Sequence, residues 1–386
     1  MILGLWPISA LIYTARKKMF GRAVLFIALA MVMILLIGKR AFTGSLKYGL
    51  SIATSASKAG TTPVRRFSFT SWTSSGQKGG PNLSATAAQL GNYDSIHLGF
   101  TNYNISVAFQ PKDREEQGQN LFAKQQKGNT ERTYSESGED NLFVSHENQG
   151  FVACGVADGV GGWSEAGYDS SAISRELCAQ MKLAFESSSG DVTPKLLLQL
   201  AFDAVMSLPK VEIGGTTACL GVLTPTRELR VANLGDSWCA VFRDFKLVEE
   251  SKFQTHNFNT PYQLAKIPKH IIRQAEREGR RYIIDNPGMA DEYSWQLQQG
   301  DIVMFATDGV SDNVVPGDIE VFLKDQFATG TPNLDSIAKR FVDEVVKVSK
   351  DPNFPSSFAQ ELLKLTGQNY LGGKEDDITV VLVQVK

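Results

Sequence analysis

Several residue types are scarce in this 386-residue chain, and each shortage removes a class of function. There are four cysteines, Cys154, Cys178, Cys219 and Cys239, and none belongs to a CxxC pair. Three lie in apolar strand-like runs and one in a helical pattern, so they read as small buried residues, not as a disulfide frame or a zinc site. Four histidines are too few for an imidazole-rich centre, so any metal here is hard and oxygen-bound. A formal net charge of -2 argues against general nucleic-acid binding. Acidic residues are missing altogether before Asp94, although eleven Lys or Arg occur there.

That last absence separates residues 1–91 from the rest. An acid-free, basic segment rich in Ser and Thr is the signature of an organelle transit peptide. It points to the mitochondrion, either the matrix or the inner membrane. Within it, Ala23 to Gly38 is an uninterrupted apolar run bounded by Arg22 and by Lys39-Arg40. A spanning helix needs about 20 apolar residues. This run is at the short end of that requirement and depends on its flanking cations snorkelling outward. It is expected to be a single transmembrane helix, and membrane anchoring in the nuclear envelope or elsewhere is the alternative location. From Ser51 to about Gly91 the composition turns to Ser, Thr, Gly and Ala, which is a linker or a cleaved presequence. Arg65-Arg66-Phe67-Ser68 is a candidate processing point.

The ordered part is expected over residues 100–386. Its apolar runs end repeatedly in carboxylates. Phe151 to Cys154 reads as a buried strand and leads into GVADGVGGW at 155–163, where polarity breaks at Asp158 beside Gly159, Gly161 and Gly162. Glycine-freed backbone next to a carboxylate suits close approach to a cation or phosphate. Asp-Gly between apolar runs is also the commonest hairpin signal, and for this stretch alone the hairpin is the better-supported reading. Gly138-Glu139-Asp140 precedes the apolar Leu142-Phe143-Val144. Ser170 is expected to cap a helix with Ile173, Leu177, Met181 and Ala184 on one face, and Pro194 to open a second helix through Met206.

Strands then follow at 218–223, 228–234, 237–242 and 247–248, expected as a meander, with Gly235-Asp236 after the second. The polar stretch 255–292, with a helix over 268–280, is long enough to be a mobile flap beside a site. Ile302 to Ala306 runs into Thr307-Asp308-Gly309, with Asp312 following. Helical runs are expected from 318 to 327 and from 334 to 348, and Lys374-Glu375-Asp376-Asp377 opens the last strand, 378–385. No internal repeat explains these similar strand ends.

Asp140, Asp158, Asp236, Asp308 and Asp376 thus fall at the ends of separate apolar strands. Each alone could be a turn or cap residue. Strand ends of one sandwich converge on a rim, however, and ionised carboxylates gathered there repel unless divalent cations neutralise them. All-oxygen ligation points to Mg2+ or Mn2+. Two such ions about 3.5–4 Å apart can clamp the oxygens of an in-line phosphoryl displacement.

GED at 138–140, VADGVGGW at 156–163, GGTTA at 214–218, ANLGDS at 232–237, ATDGVSDN at 306–313 and KEDDITVV at 374–381 occur in one order that resembles the motif ladder of the PPM-type (type 2C) metal-dependent protein serine/threonine phosphatases. The resemblance covers roughly 100–386 and draws its specificity from six ordered motifs. It implies an α+β fold, a four-layer α-β-β-α sandwich of two antiparallel sheets flanked by helices. It also implies hydrolysis of phosphoserine and phosphothreonine by a hydroxide bridging two divalent cations, Mn2+ or Mg2+, with no phosphoenzyme. On that resemblance Asp158 bridges both cations and Gly159 binds through its carbonyl. Asp308 and Asp376 complete the pair, while Glu139 and Asp140 hold the cations' waters. Asp236, Asp308 and Asp312 form the third cation site found in some members. Asp377 stands where many relatives have Asn.

Two departures matter. Many members carry a phosphate-binding Arg shortly before the Glu-Asp pair, where this chain has Tyr134-Ser135-Glu136-Ser137, and Arg132 is misplaced for that role. Many also have His directly after the Asp-Gly pair, where this chain has Val160. These gaps keep a second reading open, a pseudophosphatase scaffold that binds phosphoproteins without turnover. Similarity to the fungal mitochondrial branch of the family implies phosphoprotein partners among coenzyme Q biosynthesis proteins.

Overall fold

A computed structural model describes residues 97–113, 135–328 and 333–386. The basic segment and the apolar run 23–38 lie outside the described residues, as does Arg132. Among the described residues no helix is long and apolar enough to cross a membrane.

The chain begins with strands β1 (His97–Gly99), β2 (Tyr103–Gln110), β3 (Asp140–Val144) and β4 (Val152–Asp158). Helices α1 (Gly162–Glu165), α2 (Ser171–Glu186) and α3 (Pro194–Ser207) follow. Next come β5 (Gly214–Thr216), β6 (Ala218–Leu223), β7 (Glu228–Leu234), β8 (Trp238–Arg243) and β9 (Lys246–Glu250). The expected flap holds β10 (Thr255–Asn257), β11 (Thr260–Pro261), β12 (Leu264–Lys266) and α4 (Lys269–Arg277). The remainder is β13 (Asp291–Gln296), β14 (Ile302–Ala306), α5 (Asp308–Ser311), α6 (Pro316–Phe327), α7 (Leu334–Ser349), α8 (Ser357–Thr366) and β15 (Ile378–Val385).

Two large antiparallel sheets form, in the orders β1-β2-β15-β14-β8-β9 and β13-β7-β6-β4-β3, beside the two-stranded pairs β10-β11 and β12-β5. Their strands read as unbroken apolar runs because both faces are covered, and alternate side chains serve different layers. In β15, Val381, Val383 and Val385 enter the core between the sheets, against Val156, Cys219, Val241 and Phe305. The intervening Ile378, Val380 and Leu382 face outward to Ile319, Phe322, Ile337 and Phe341 of α6 and α7. On the other side, Phe143, Ala153, Leu220 and Ala232 pack against Ile173, Leu177 and Met181 of α2 and Leu197 and Leu198 of α3. Helix, sheet, sheet and helix therefore stack in four layers, as expected. All four cysteines are buried and unpaired, also as expected.

Three local expectations need correction. The strands from 218 to 248 are not one meander, since β7 pairs with β6 and β13 while β8 pairs with β14 and β9. The chain changes sheets at Gly235, whose φ of 109° is open to glycine and whose Cβ, if present, would lie 2.7 Å from Thr217. Asp158-Gly159 is not a hairpin turn. Asp158 ends β4, paired with Asp140 at the start of β3, and the chain proceeds into α1. Ser170 precedes α2 but makes no side-chain cap bond. Its hydroxyl instead donates to Glu139 Oε1 at 2.5 Å.

Specific contacts tie the flap to the fold. β12 pairs with β5, and buried Asp285 accepts from the Gln263 backbone N–H at 2.9 Å while lying 2.9 Å from His256 Nε2. His256 in turn stacks on Tyr262 with ring centroids 4.2 Å apart.

Candidate active site

The site is built where β3, β4, β7, β14 and β15 begin or end. Antiparallel pairing puts Asp140 directly opposite Asp158. Asp236 follows β7, Asp308 follows β14 as the first residue of α5, and Asp376 lies just before β15. Their convergence shows in their charges. Burial raises the Asp158 carboxyl well above its ordinary value, and Asp308, Asp140, Asp376 and Asp236 raise it further. Asp140 is likewise raised by burial and then by Asp377 and Asp308. Burial, Asp308 and Asp312 raise Asp236, while Asp312 is pushed up to about 7 by burial and by Asp308. Two carboxylates about 4 Å apart repel by roughly 4 kcal/mol at an effective dielectric constant of about 20. Several such pairs cannot all ionise without added positive charge.

Hydroxyls and backbone fix the directions of these groups. Thr307 Oγ1 donates to Asp140 Oδ2 at 2.7 Å. Asp158 is clamped at its backbone, its N–H donating to Thr217 Oγ1 at 3.0 Å and its carbonyl accepting from Thr217 N–H at 2.9 Å. Gly159 N–H donates to the Glu139 carbonyl at 3.1 Å. A Cβ on Gly159 would lie 2.5 Å from the Ser170 carbonyl oxygen and 2.7 Å from that of Glu139, so only glycine fits there.

The last motif is divided between two tasks. Asp377 is buried and accepts from the backbone N–H of Lys112 and of Glu139, each at 2.8 Å, tying the Gly138-Glu139-Asp140 turn to β15. Asp376 points instead to two ammonium groups. Lys112 Nζ donates to Asp376 Oδ1 at 2.9 Å and lies 3.4 Å from Glu139 Oε2. Lys374 Nζ lies 3.5 Å from Asp376 Oδ2, donates to Asp308 Oδ2 at 2.7 Å and also donates to Asp312 Oδ2. Burial raises the Asp376 carboxyl, but the two lysines more than offset it and leave it below its ordinary value.

Lys112, Lys374, Thr307 and Asp377 were not singled out as functional residues from the sequence alone. Thr307, Lys374 and Asp377 lie inside recognised motifs and could have been suspected from them. Lys112 follows the end of β2, outside every motif, and carries no such signal. Val160 is partly buried, donates its N–H to the Gly215 carbonyl at 2.8 Å and brings no titratable group to the site.

The donor set suits a hard divalent cation. It is all carboxylate and carbonyl oxygen, and the buried Asp236 Oδ1 has no hydrogen-bond partner. As arranged, no three His, Cys, Asp or Glu side chains among the described residues already form a cage for an ion.

Comparison with known proteins agrees with this architecture. The solved structure described as the photosystem II phosphatase PBCP matches with a TM-score of 0.56 and 26% sequence identity, covering 74% of this chain and 99% of that one. Two sheets between helices, with carboxylates gathered at one rim, thus define a phosphatase of the two-sheet sandwich class. Over 289 residues the chain is 52% identical to protein phosphatase 2C homolog 7, mitochondrial, of Saccharomyces cerevisiae, covering 73% of this chain and 82% of that protein. It is 36% identical to the Homo sapiens protein phosphatase PTC7 homolog over 247 residues, 64% of this chain and 78% of the human one. No family model matches the chain. At that identity and coverage, the chain belongs to the protein phosphatase 2C family and is a protein phosphatase.

Proposed function

We propose that the chain hydrolyses phosphoserine and phosphothreonine in mitochondrial proteins, using two divalent cations, Mn2+ or Mg2+. Asp158, the Gly159 carbonyl, Asp308 and Asp376 would hold the pair. Glu139 and Asp140 would act from behind it through water. Bound there, the cations supply Lewis-acid activation of a water and neutralise the phosphoryl oxygens. The chain's own residues then have separable tasks. Thr307 holds the Asp140 carboxylate in one orientation. Ser170 and the Asp377 clasp orient Glu139. Thr217 locks the Asp158 backbone.

With valine at 160, no imidazole follows the Asp-Gly pair, so the leaving alcohol takes its proton from water or from a residue elsewhere on the rim. The observation that carries this reading is the meeting of Asp140, Asp158, Asp236, Asp308 and Asp376 at strand ends, with Asp140 directly opposite Asp158. Carboxylates so gathered are relieved by bound protons or by cations, and an all-oxygen donor set suits divalent cations.

The mitochondrial setting is supported by the name of the yeast relative and by the acid-free basic segment before Asp94. The run Ala23–Gly38 would then serve as a membrane anchor or be removed on import, and sequencing the mature amino terminus distinguishes these. Enzymes of coenzyme Q biosynthesis are the first phosphoprotein substrates to test, on the branch resemblance alone. The full chain is expected to hydrolyse a phosphothreonine peptide with Mn2+ and to stop on chelation. Retention of near-normal turnover by Asp158→Asn would falsify the bridging role.

A further inference from the structure

Lys374 is held in the acidic rim by more than its own charge. Buried Asn313 accepts from the Lys374 backbone N–H and donates to its carbonyl, each at 2.8 Å. The same amide donates to the Gly309 carbonyl at 2.9 Å. Asn313 therefore fastens the Lys374 backbone to the turn that carries Asp308 and Asp312. The Phe358 ring centroid lies 5.4 Å from Nζ, and Phe358 N–H donates to the Asp312 carbonyl at 2.8 Å. From the flap, Asn259 Oδ1 accepts from Nζ at 3.3 Å. The Lys374 side chain is only 19% exposed. An ammonium so placed, bonded to Asp308 and Asp312 and acting on the Asp236 carboxyl through its charge, is a fixed feature of the fold and not a wandering surface charge.

We propose that Lys374 fills, within the polypeptide itself, the position between Asp308, Asp312 and Asp236 that a third divalent cation would take. The chain accordingly binds two cations and carries its third positive charge as a side chain. The inference rests on the two-cation reading above. A third ion at this position would have to expel the ammonium from two charge-assisted bonds and then sit beside it, and like charges at that range repel strongly. A tethered charge needs no free-ion concentration to stay bound, which gives it an advantage over a weakly held ion.

Calorimetry with Mn2+ on the metal-stripped full chain tests this without reference to turnover. Wild type and Lys374→Arg are expected to take up two ions, and Lys374→Met three. Three ions in wild type, or two in a folded Lys374→Met, overturn the inference. Asp312→Asn guards against misfolding of the methionine variant. It is expected to leave the wild-type stoichiometry at two, and a loss of one ion on that change also overturns the proposal. Absence of any binding in wild type would remove the cation reading itself and this inference with it. Three ions in wild type would remove only the inference.

Discussion

The two flanks of the acidic rim are electrostatically unlike. On the flank supplied by β3 and β4, Asp140 and Asp158 face each other across the strand pair, and both carboxyls are raised by burial and by their acidic neighbours. On the flank supplied by the approach to β15, Asp376 lies between Lys112 and Lys374 and is held below its ordinary value despite its burial. One flank brings its own positive charge, and the other must receive charge from outside. The unbalanced flank is therefore where loading with divalent cations changes the molecule most.

The largest effect should come from breaking the unbalanced flank. Asp158→Asn is expected to lower kcat by more than the roughly 10–100-fold typical of losing an outer-shell partner. Steady-state hydrolysis of a phosphothreonine peptide at saturating Mn2+ measures this. A loss of less than tenfold would mean that Asp158 is not at the centre. Thr307→Val removes only the hydroxyl that orients Asp140. It should cost about 10-fold in cation affinity, read by calorimetry, with the fold preserved by circular dichroism.

Stability against pH compares the flanks directly. Asp140, Asp158, Asp236 and Asp312 have folded values raised above the usual carboxylate range. In metal-stripped protein their contribution is therefore most favourable below 3.8 and is lost as pH rises, up to about 7 for Asp312. Asp376 acts in the opposite sense. Its contribution is present above 3.8 and disappears as pH falls through its lowered folded value. The raised group is larger, so the Tm of the stripped protein should fall between pH 4 and 7, and Mn2+ should restore it. A flat profile in stripped protein would deny that the carboxylates are crowded.

The smallest effect is expected at Lys112, whose ammonium lies near Asp376 and Glu139 at the edge of the rim. Lys112→Met should make the flanks more alike and move the pH midpoint of Mn2+ uptake upward by a fraction of a unit. An unchanged midpoint would place all of the Asp376 effect on Lys374.

Much of the architecture was legible because strands buried on both faces need unbroken apolar sequence. Ile302–Ala306 and Ile378–Val385 are strands at their expected residues. α3 and α6 run over their expected stretches to within about two residues. The short α8 was not legible. It buries only Ala359 and leaves Leu363 and Leu365 exposed. The β7–β8 connection was misread because two adjacent apolar strands look alike whether they pair or part. Ser170 was misread because a serine before a helix predicts a cap whose oxygen accepts from backbone N–H, whereas here the Ser170 backbone is already helical and its hydroxyl donates to Glu139.

The sequence by itself placed Asp140, Asp158, Asp236, Asp308 and Asp376, in that order, where apolar runs begin or end. It also determined the family, through the order of its motifs, and with that resemblance the layered fold, while its unbroken apolar runs marked strands covered on both faces. Only the tertiary structure decided how those carboxylates are balanced. That Lys112 and Lys374 reach Asp376, and that Asn313 aims Lys374 at Asp308 and Asp312, depends on residues far apart in the chain meeting at one rim. Electrostatic energy falls with distance in space and not along the chain, so no local pattern could have announced it.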